Sequence, residues 1–111
     1  MDETPLTYRT AWRRENAVHH YPGSLSGSAD GIRLAGRDPA TGIDVTLTIP
    51  ADEIEAVRPS RGWDERVVGE PCVVLELANS TPILLREVGC GDIDAGALAH
   101  EIDAVVHPAR A

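Results

Sequence analysis

The chain has 111 residues, enough for one domain, and its ten basic residues against eighteen acidic ones give a formal net charge of −8. All ten basic residues are arginine, there is neither lysine nor phenylalanine, and the apolar fraction of 42% predicts a folded chain. This composition excludes a general nucleic-acid binder, which needs a basic excess to neutralise phosphates, and it excludes lysine-based covalent catalysis.

Residues in the first half of the chain alternate between apolar and polar with a period of two, which predicts β-strands joined by turns. In chain order, the predicted strands are 6–14, 24–28, 32–35 and 43–49. Turns or loops rich in Gly, Pro and Asp separate them, at 19–23, 29–31 and 38–42. The alternation is clearest from Ile43 to Ile49, which implies one buried face, one solvated face and an antiparallel sheet.

The second half of the chain predicts three more strands and one helix. The strands are 54–58, 72–77 and 82–88; a long loop at 59–70 follows the first, and a turn at 78–81 joins the other two. The helix runs from about 95 to 107, and Asp94 suits its N-cap because a carboxylate accepts from free backbone N–H groups. Ile93 and Leu98 have the spacing of a hydrophobic staple. One face of the helix carries Leu98, Ile102, Val105 and Val106, and the opposite face carries His100, Asp103 and His107.

The predicted domain covers residues 6–107, between a loose leader at 1–5 and a short tail at 108–111. No apolar run approaches the roughly 20 residues that span a bilayer. The acidic start of the chain lacks the apolar stretch of a secretory signal, so we predict a cytoplasmic protein.

Seven short antiparallel strands followed by one C-terminal helix form a mainly β order that resembles the pleckstrin-homology-like (PH-like) superfold, which includes the GRAM domains. The segment Gly31–Leu34 and the later segment Thr48–Val57 look like small bacterial stand-alone members of this group. The resemblance extends from about Tyr8 to Val106. It implies a bent, partly open barrel of four plus three strands with the helix covering one end.

An independent physical argument favours closure of the sheet. Unprotected strand edges invite aggregation, and a helix of about thirteen residues, at roughly 1.5 Å per residue, is long enough to cover an open end. A two-layer α+β sandwich with the helix on one sheet face is the alternative fold.

The resemblance also raises phosphoinositide binding, because many PH domains clamp phosphates with basic residues on the first two strands. Arg13 and Arg14 stand at the end of the first strand, but the second strand, 24–28, has no basic residue. The net charge also repels anions, so the pattern argues against phosphoinositide or membrane binding. The two arginines are then solvated charges near Glu15.

No metal site and no cofactor are predicted. His19 and His20 are neighbours in an extended segment and point to opposite sides. His100 and His107 lie two helical turns apart, about 10.5 Å, which is too far for one ion. All four histidines are therefore interpreted as exposed side chains.

No catalytic motif is present either. The sequence lacks Gly-x-Ser-x-Gly, a glycine-rich phosphate loop and His-Glu-x-x-His. Cys72 and Cys90 lack Cys-x-x-Cys spacing and are predicted to be free thiols in or near the core. The sequence therefore predicts a protein that is not an enzyme.

The long loop holds the best candidate for a partner site. Trp63 lies there between Arg61 and Arg66, and aromatic and arginine side chains are the types that anchor interfaces. The alternative is that Trp63 folds back over the barrel mouth. Trp12, in contrast, alternates with apolar neighbours and is predicted to lie in the core.

These observations predict a non-enzymatic interaction module that binds a protein or peptide, or pairs with itself through an exposed strand edge. The alternative is lipid or small-anion binding at the barrel mouth, with Arg13, Arg14 and Trp63 as contacts.

Overall fold

The computed structural model describes residues 6–15, 17, 19–61, 66–67, 70–88 and 94–107. These residues form β-strands, one short 3-10 turn and one C-terminal α-helix. The strands are β1 (Leu6–Arg14), β2 (Tyr21–Ser28), β3 (Gly31–Arg37), β4 (Asp44–Pro50), β5 (Ile54–Pro59), β6 (Arg66–Val67), β7 (Glu70–Pro71), β8 (Val73–Leu77) and β9 (Ile83–Glu87). The 3-10 turn covers Ala51–Glu53, and the helix α1 covers Ala95–Val106.

Seven of the strands form one continuous antiparallel sheet, in the order β4-β3-β2-β1-β9-β8-β5. Strand β1 lies at its centre, because it pairs with β2 along one side and with β9 along the other. The sheet curls into a half-barrel, and α1 packs against β5, β2 and β8. The predicted mainly β class, with seven antiparallel strands and a C-terminal helix, is confirmed.

The alternation along the strands places a large apolar set on the inner face of the sheet. Trp12 lies opposite Tyr21 of β2 and Leu85 of β9, and it is only 2% exposed, so its predicted place in the core is confirmed. Other buried side chains of the same core belong to Leu25, Leu34, Ile49, Val73 and Leu75. Burial of this set supplies the main driving force for the fold.

Strands β2 and β3 approach closely where Gly23 pairs with Gly36. A Cβ atom at Gly23 would lie 1.9 Å from the carbonyl oxygen of Ala35, and one at Gly36 would lie 3.1 Å from Nε1 of Trp12. The indole N–H of Trp12 donates to the same Ala35 oxygen at 3.1 Å. Glycine at both positions therefore lets the backbone of β3 come within reach of the central tryptophan.

A second, smaller apolar cluster lies on the outer face of the sheet. Its buried members are Ala11, Val67, Cys72, Val74 and Leu84. Val67 comes from the two-stranded β6–β7 hairpin, so this hairpin packs on the outside of the main sheet. Cys72 is buried, as predicted, whereas Cys90 lies outside the described residues.

Helix α1 begins as predicted, because the Asp94 carboxylate accepts from the backbone N–H of Ala97 at 2.7 Å. Its buried stripe consists of Leu98, Ala99, Ile102 and Val106, whereas Val105 is half-buried. The predicted staple partner, Ile93, lies outside the described residues. Among the described residues, no helix has the length and apolar character needed to cross a membrane.

The prediction that His107 faces solvent is wrong. Its side chain is only 10% exposed, because Nε2 lies 2.8 Å from the Ile54 carbonyl oxygen and Nδ1 lies 2.7 Å from Asp103 Oδ1. His107 thus joins the end of α1 to the start of β5. His100, in contrast, is exposed as predicted.

Two further details differ from the sequence prediction. Strand β2 begins at Tyr21 instead of residue 24, because Tyr21 pairs with Trp12 across the sheet. The predicted loop at 59–70 contains the two short strands of the β6–β7 hairpin. All seven main strands belong to one sheet, since β1 pairs with both β2 and β9.

Candidate functional site

Arg13, a predicted ligand contact, is engaged by the backbone next to it. Its Nη1 lies 2.9 Å from the carbonyl oxygen of Glu15 and 3.1 Å from those of Arg14 and Ala17. Each carbonyl is an acceptor, so the guanidinium stabilises the first residues of the β1–β2 connection. A ligand at this end of the sheet would have to compete with these bonds.

The other predicted contacts are not brought into one described site. Arg14 and Arg61 are exposed at the ends of β1 and β5. Trp63 lies outside the described residues, and of Arg66 only its backbone pairing with Pro71 is described. The aromatic anchor in the long loop therefore stays a prediction.

The clearest surface feature is the edge strand β4, which pairs with β3 on one side and has no partner strand among the described residues on the other. The other edge strand, β5, differs because α1 packs against it and His107 contacts its first carbonyl oxygen. It also carries a register irregularity between Ile54 and Ala56. Irregularity and cover are the usual protections of a sheet edge.

The direction of the β4 backbone groups follows from two hydrogen bonds at its ends. The N–H of Asp38 donates to the Ile43 oxygen, and the N–H of Ala51 donates to the Asp30 oxygen, both at 2.9 Å. Hydrogen-bonded pairs alternate along an antiparallel ladder, so odd-numbered residues of β4 bond to β3. The N–H and C=O groups of Thr46 and Thr48 therefore point away from the sheet.

The side chains of β4 add an apolar stripe beside this edge. Val45 and Leu47 are half-buried and pack on the core, and Ile43, which precedes the strand, is 64% exposed. Ile43 is the only exposed large hydrophobic residue among those described. No charged residue occurs from Val45 to Ile49. Outward-facing backbone groups next to uncharged apolar side chains are the features of a strand that accepts a further strand.

The outer face of β2, β3 and β4 is polar and locally basic. Arg33 is exposed and pairs in register with Ser26 on one side and Thr48 on the other. These residues line a shallow pocket of about 200 Å³ together with Gly27, Ser28, Asp30, Gly31, Ile32 and Ile49. The carboxylate of Asp30 in the same lining weakens the attraction for an anion.

Tyr8 links the centre of the sheet to the helix. Its hydroxyl donates to Glu101 Oε1 at 2.7 Å. Burial, followed by this hydrogen bond and the negative charges of Glu101 and Glu87, raises the pKa of Tyr8 to about 12. Each of these causes favours the neutral phenol over the phenolate.

We expect the folded protein to lose stability as the pH rises from about 10 to about 12. The unfolded chain releases the Tyr8 proton near its ordinary pKa of 10.0, whereas the folded chain keeps it to about 12. The stabilisation is therefore complete below pH 10 and declines above it. Phenolate absorbance of a Tyr21→Phe variant, recorded together with circular dichroism, measures this ionisation. A Tyr8 phenolate that forms near pH 10 while the fold persists would contradict the expectation.

Among the described residues, no group of three or more His, Cys, Asp or Glu side chains is arranged to hold a metal ion. No family model, curated protein or solved structure matches this chain. The functional argument therefore depends on the geometry of its own residues.

Proposed function

We propose that this chain is a non-enzymatic interaction module of PH-like architecture that binds an extended protein segment along the outer edge of β4. The observation that carries the proposal is the outward direction of the Thr46 and Thr48 backbone groups on a strand that has no second neighbour among the described residues. In the main sheet, four strands precede the 3-10 turn and three follow it before the helix, which is the order that the PH-like resemblance implies.

The proposed contact supplies both affinity and selectivity. An added antiparallel strand would form backbone hydrogen bonds with Thr46 and Thr48, each contributing about 0.5–1.5 kcal/mol net. Its alternate side chains would pack on the apolar stripe of Ile43, Val45 and Leu47, which selects a segment with an apolar residue at every second position.

Selection of extended peptides tests this proposal. Random peptides displayed on phage are selected on the folded protein, and the selected peptides are titrated into isotope-labelled protein. We expect amide shifts centred on Thr46 and Thr48, and slower hydrogen exchange at these two amides. A selection that yields no binder, or peptides whose shifts map to another surface, would contradict the proposal.

A pair of matched variants sharpens the test. Thr46→Lys with Thr48→Lys places two charges on the edge, a protection that natural edge strands use. Asn79→Lys with Ser80→Lys makes the same charge change at exposed positions in the β8–β9 turn. The edge variant should lose peptide binding by at least about tenfold, and the turn variant should keep it.

The alternative, lipid or small-anion binding, is favoured by the exposed Arg33 beside the hydroxyl groups of Ser26 and Thr48. Inorganic phosphate titrated into the same labelled protein tests it. Saturable shifts at these residues without any peptide binding would favour the anion over the strand. The bonds of Arg13 to the carbonyl oxygens of Arg14, Glu15 and Ala17 weaken the case for the barrel mouth.

A further inference from the structure

We propose that the strand accepted by the β4 edge is β4 of a second copy of this chain, paired antiparallel about Leu47. This inference rests on the proposed function and names its partner. The segment Val45-Thr46-Leu47-Thr48-Ile49 has the same order of side-chain types in both directions: β-branched apolar, threonine, leucine, threonine, β-branched apolar. In an antiparallel pair of identical strands, residues that lie equally far before and after the axis are opposite each other. This symmetry of side-chain types therefore places like side chains together across the pair.

Symmetry restricts the register of such a pair. A twofold axis perpendicular to the sheet lies midway between the two strands. It must relate one residue to the same residue of the second copy, so that the inner face of one sheet continues into the inner face of the other. We name each possible axis by that residue. An axis through Leu47 pairs Thr46 with Thr48 of the second copy, and the reverse. These are the two residues whose backbone groups point outward, so both of these pairs form hydrogen bonds.

The ends of the strand set the length of the pairing. Asp44 would lie opposite Pro50 of the second copy, where its N–H can donate to the proline carbonyl oxygen. Proline has no N–H to return, so the ladder ends there. The paired segment is therefore confined to 44–50 in each copy.

The same register brings apolar side chains of the two edges together. Leu47 meets Leu47 of the second copy on the inner face, and Val45 meets Ile49. Ile43, 64% exposed in the single chain, lies one residue beyond the last pair, next to the end of the second copy's strand at Pro50. Pairing thus reduces the water exposure of Val45 and Leu47.

Charge does not oppose the pairing locally, although each copy carries a net charge of −8. The one acidic residue of β4, Asp44, is paired with Arg37 at 3.2 Å. The five central residues are uncharged. Because the contact is one strand wide, we expect a weak dimer with a dissociation constant on the order of tens of micromolar.

Sedimentation velocity from about 5 μM to 1 mM tests the inference, with circular dichroism to establish that each variant is folded. We expect the fraction of dimer to rise with concentration for the wild type. Thr46→Lys with Thr48→Lys should weaken the dimer at least about tenfold, because lysine would then face lysine across the axis. This variant lowers the net negative charge of each copy. If overall repulsion between the two copies governed association, the variant would therefore dimerise more strongly than the wild type. The turn variant Asn79→Lys with Ser80→Lys should dimerise at least as well as the wild type.

One further variant tests the register. Thr46→Lys with Thr48→Glu leaves the net charge unchanged and, about Leu47, places each lysine opposite a glutamate. It should dimerise at least as well as the wild type. An axis through Thr46 would place lysine opposite lysine, so loss of this dimer overturns the Leu47 register.

The outcomes separate the two proposals. A wild type that stays monomeric to 1 mM, or an edge variant that dimerises as well as the turn variant, overturns the pairing of two copies. If peptides still bind at Thr46 and Thr48 in that case, the proposed function stands and the partner is another protein. If peptides do not bind at Thr46 and Thr48 either, both proposals are contradicted.

Discussion

Replacing Trp12 with alanine is expected to lower the free energy of unfolding by about 3–5 kcal/mol, a large part of the stability of a small domain. Trp12 is 2% exposed at the centre of the sheet, and its ring centroid lies 4.8 Å from that of Tyr21. The substitution removes the largest buried side chain among the described residues and leaves the Ala35 oxygen without its indole donor. Urea denaturation followed by circular dichroism measures the change.

A Trp12→Phe variant separates packing from hydrogen bonding. Phenylalanine keeps much of the buried ring but cannot donate to Ala35, so we expect a smaller loss of about 1–3 kcal/mol. A loss below about 1 kcal/mol for Trp12→Ala would mean that the indole does not organise the core.

Replacing Gly23 with alanine is expected to cost about 3 kcal/mol or more, or to prevent folding. The new Cβ atom would lie 1.9 Å from the Ala35 oxygen and 2.6 Å from the Gly36 Cα atom. Both are backbone atoms of the neighbouring strand, so relief requires β2 and β3 to separate. That separation would also pull the Ala35 oxygen away from Trp12. Chemical denaturation of the purified variant, or its failure to appear in the soluble fraction, is the readout.

Gly42→Ala is the matched control for this prediction. Gly42 has φ = +74°, and a Cβ atom there would meet no other atom within 4 Å. Its expected cost is the conformational one alone, about 1–2 kcal/mol. If Gly23→Ala proves no more destabilising than Gly42→Ala, then the close approach of β2 and β3 is not what glycine permits at position 23.

The candidate site was only partly predictable from the sequence. The alternation of Val45 to Ile49 identified β4 as a strand with one solvent-exposed face, and Thr46 and Thr48 are exposed as that pattern requires. The same pattern could not show that β4 is an edge strand. That depends on β1 pairing with β9, which brings residues about seventy positions apart into register and leaves β4 at the end of the row. The absence of charge over five consecutive strand residues was the available signal.

The predicted roles of charged and polar groups depended even more on the tertiary structure. The sequence does not indicate that the Arg13 guanidinium donates to three nearby carbonyl oxygens. His107 lies on the polar side of the helical wheel, yet it is covered because Ile54 of β5 lies beside the end of α1. Side-chain partners of this kind come from distant segments, and a helical wheel describes only one segment.

The sequence by itself determined the elements of this protein: where strands alternate, where Asp94 begins the helix, and that Trp12 and Cys72 are buried. These properties follow from the local period of the backbone and from the cost of exposing apolar side chains to water. The tertiary structure decided which edge strand lacks cover among the described residues, which arginine is engaged and where a Cβ atom in place of a glycine hydrogen would meet the neighbouring backbone. Those properties depend on which segments meet across the sheet. Every strand offers the same backbone N–H and C=O groups, so the local residue pattern does not specify which strand it pairs with.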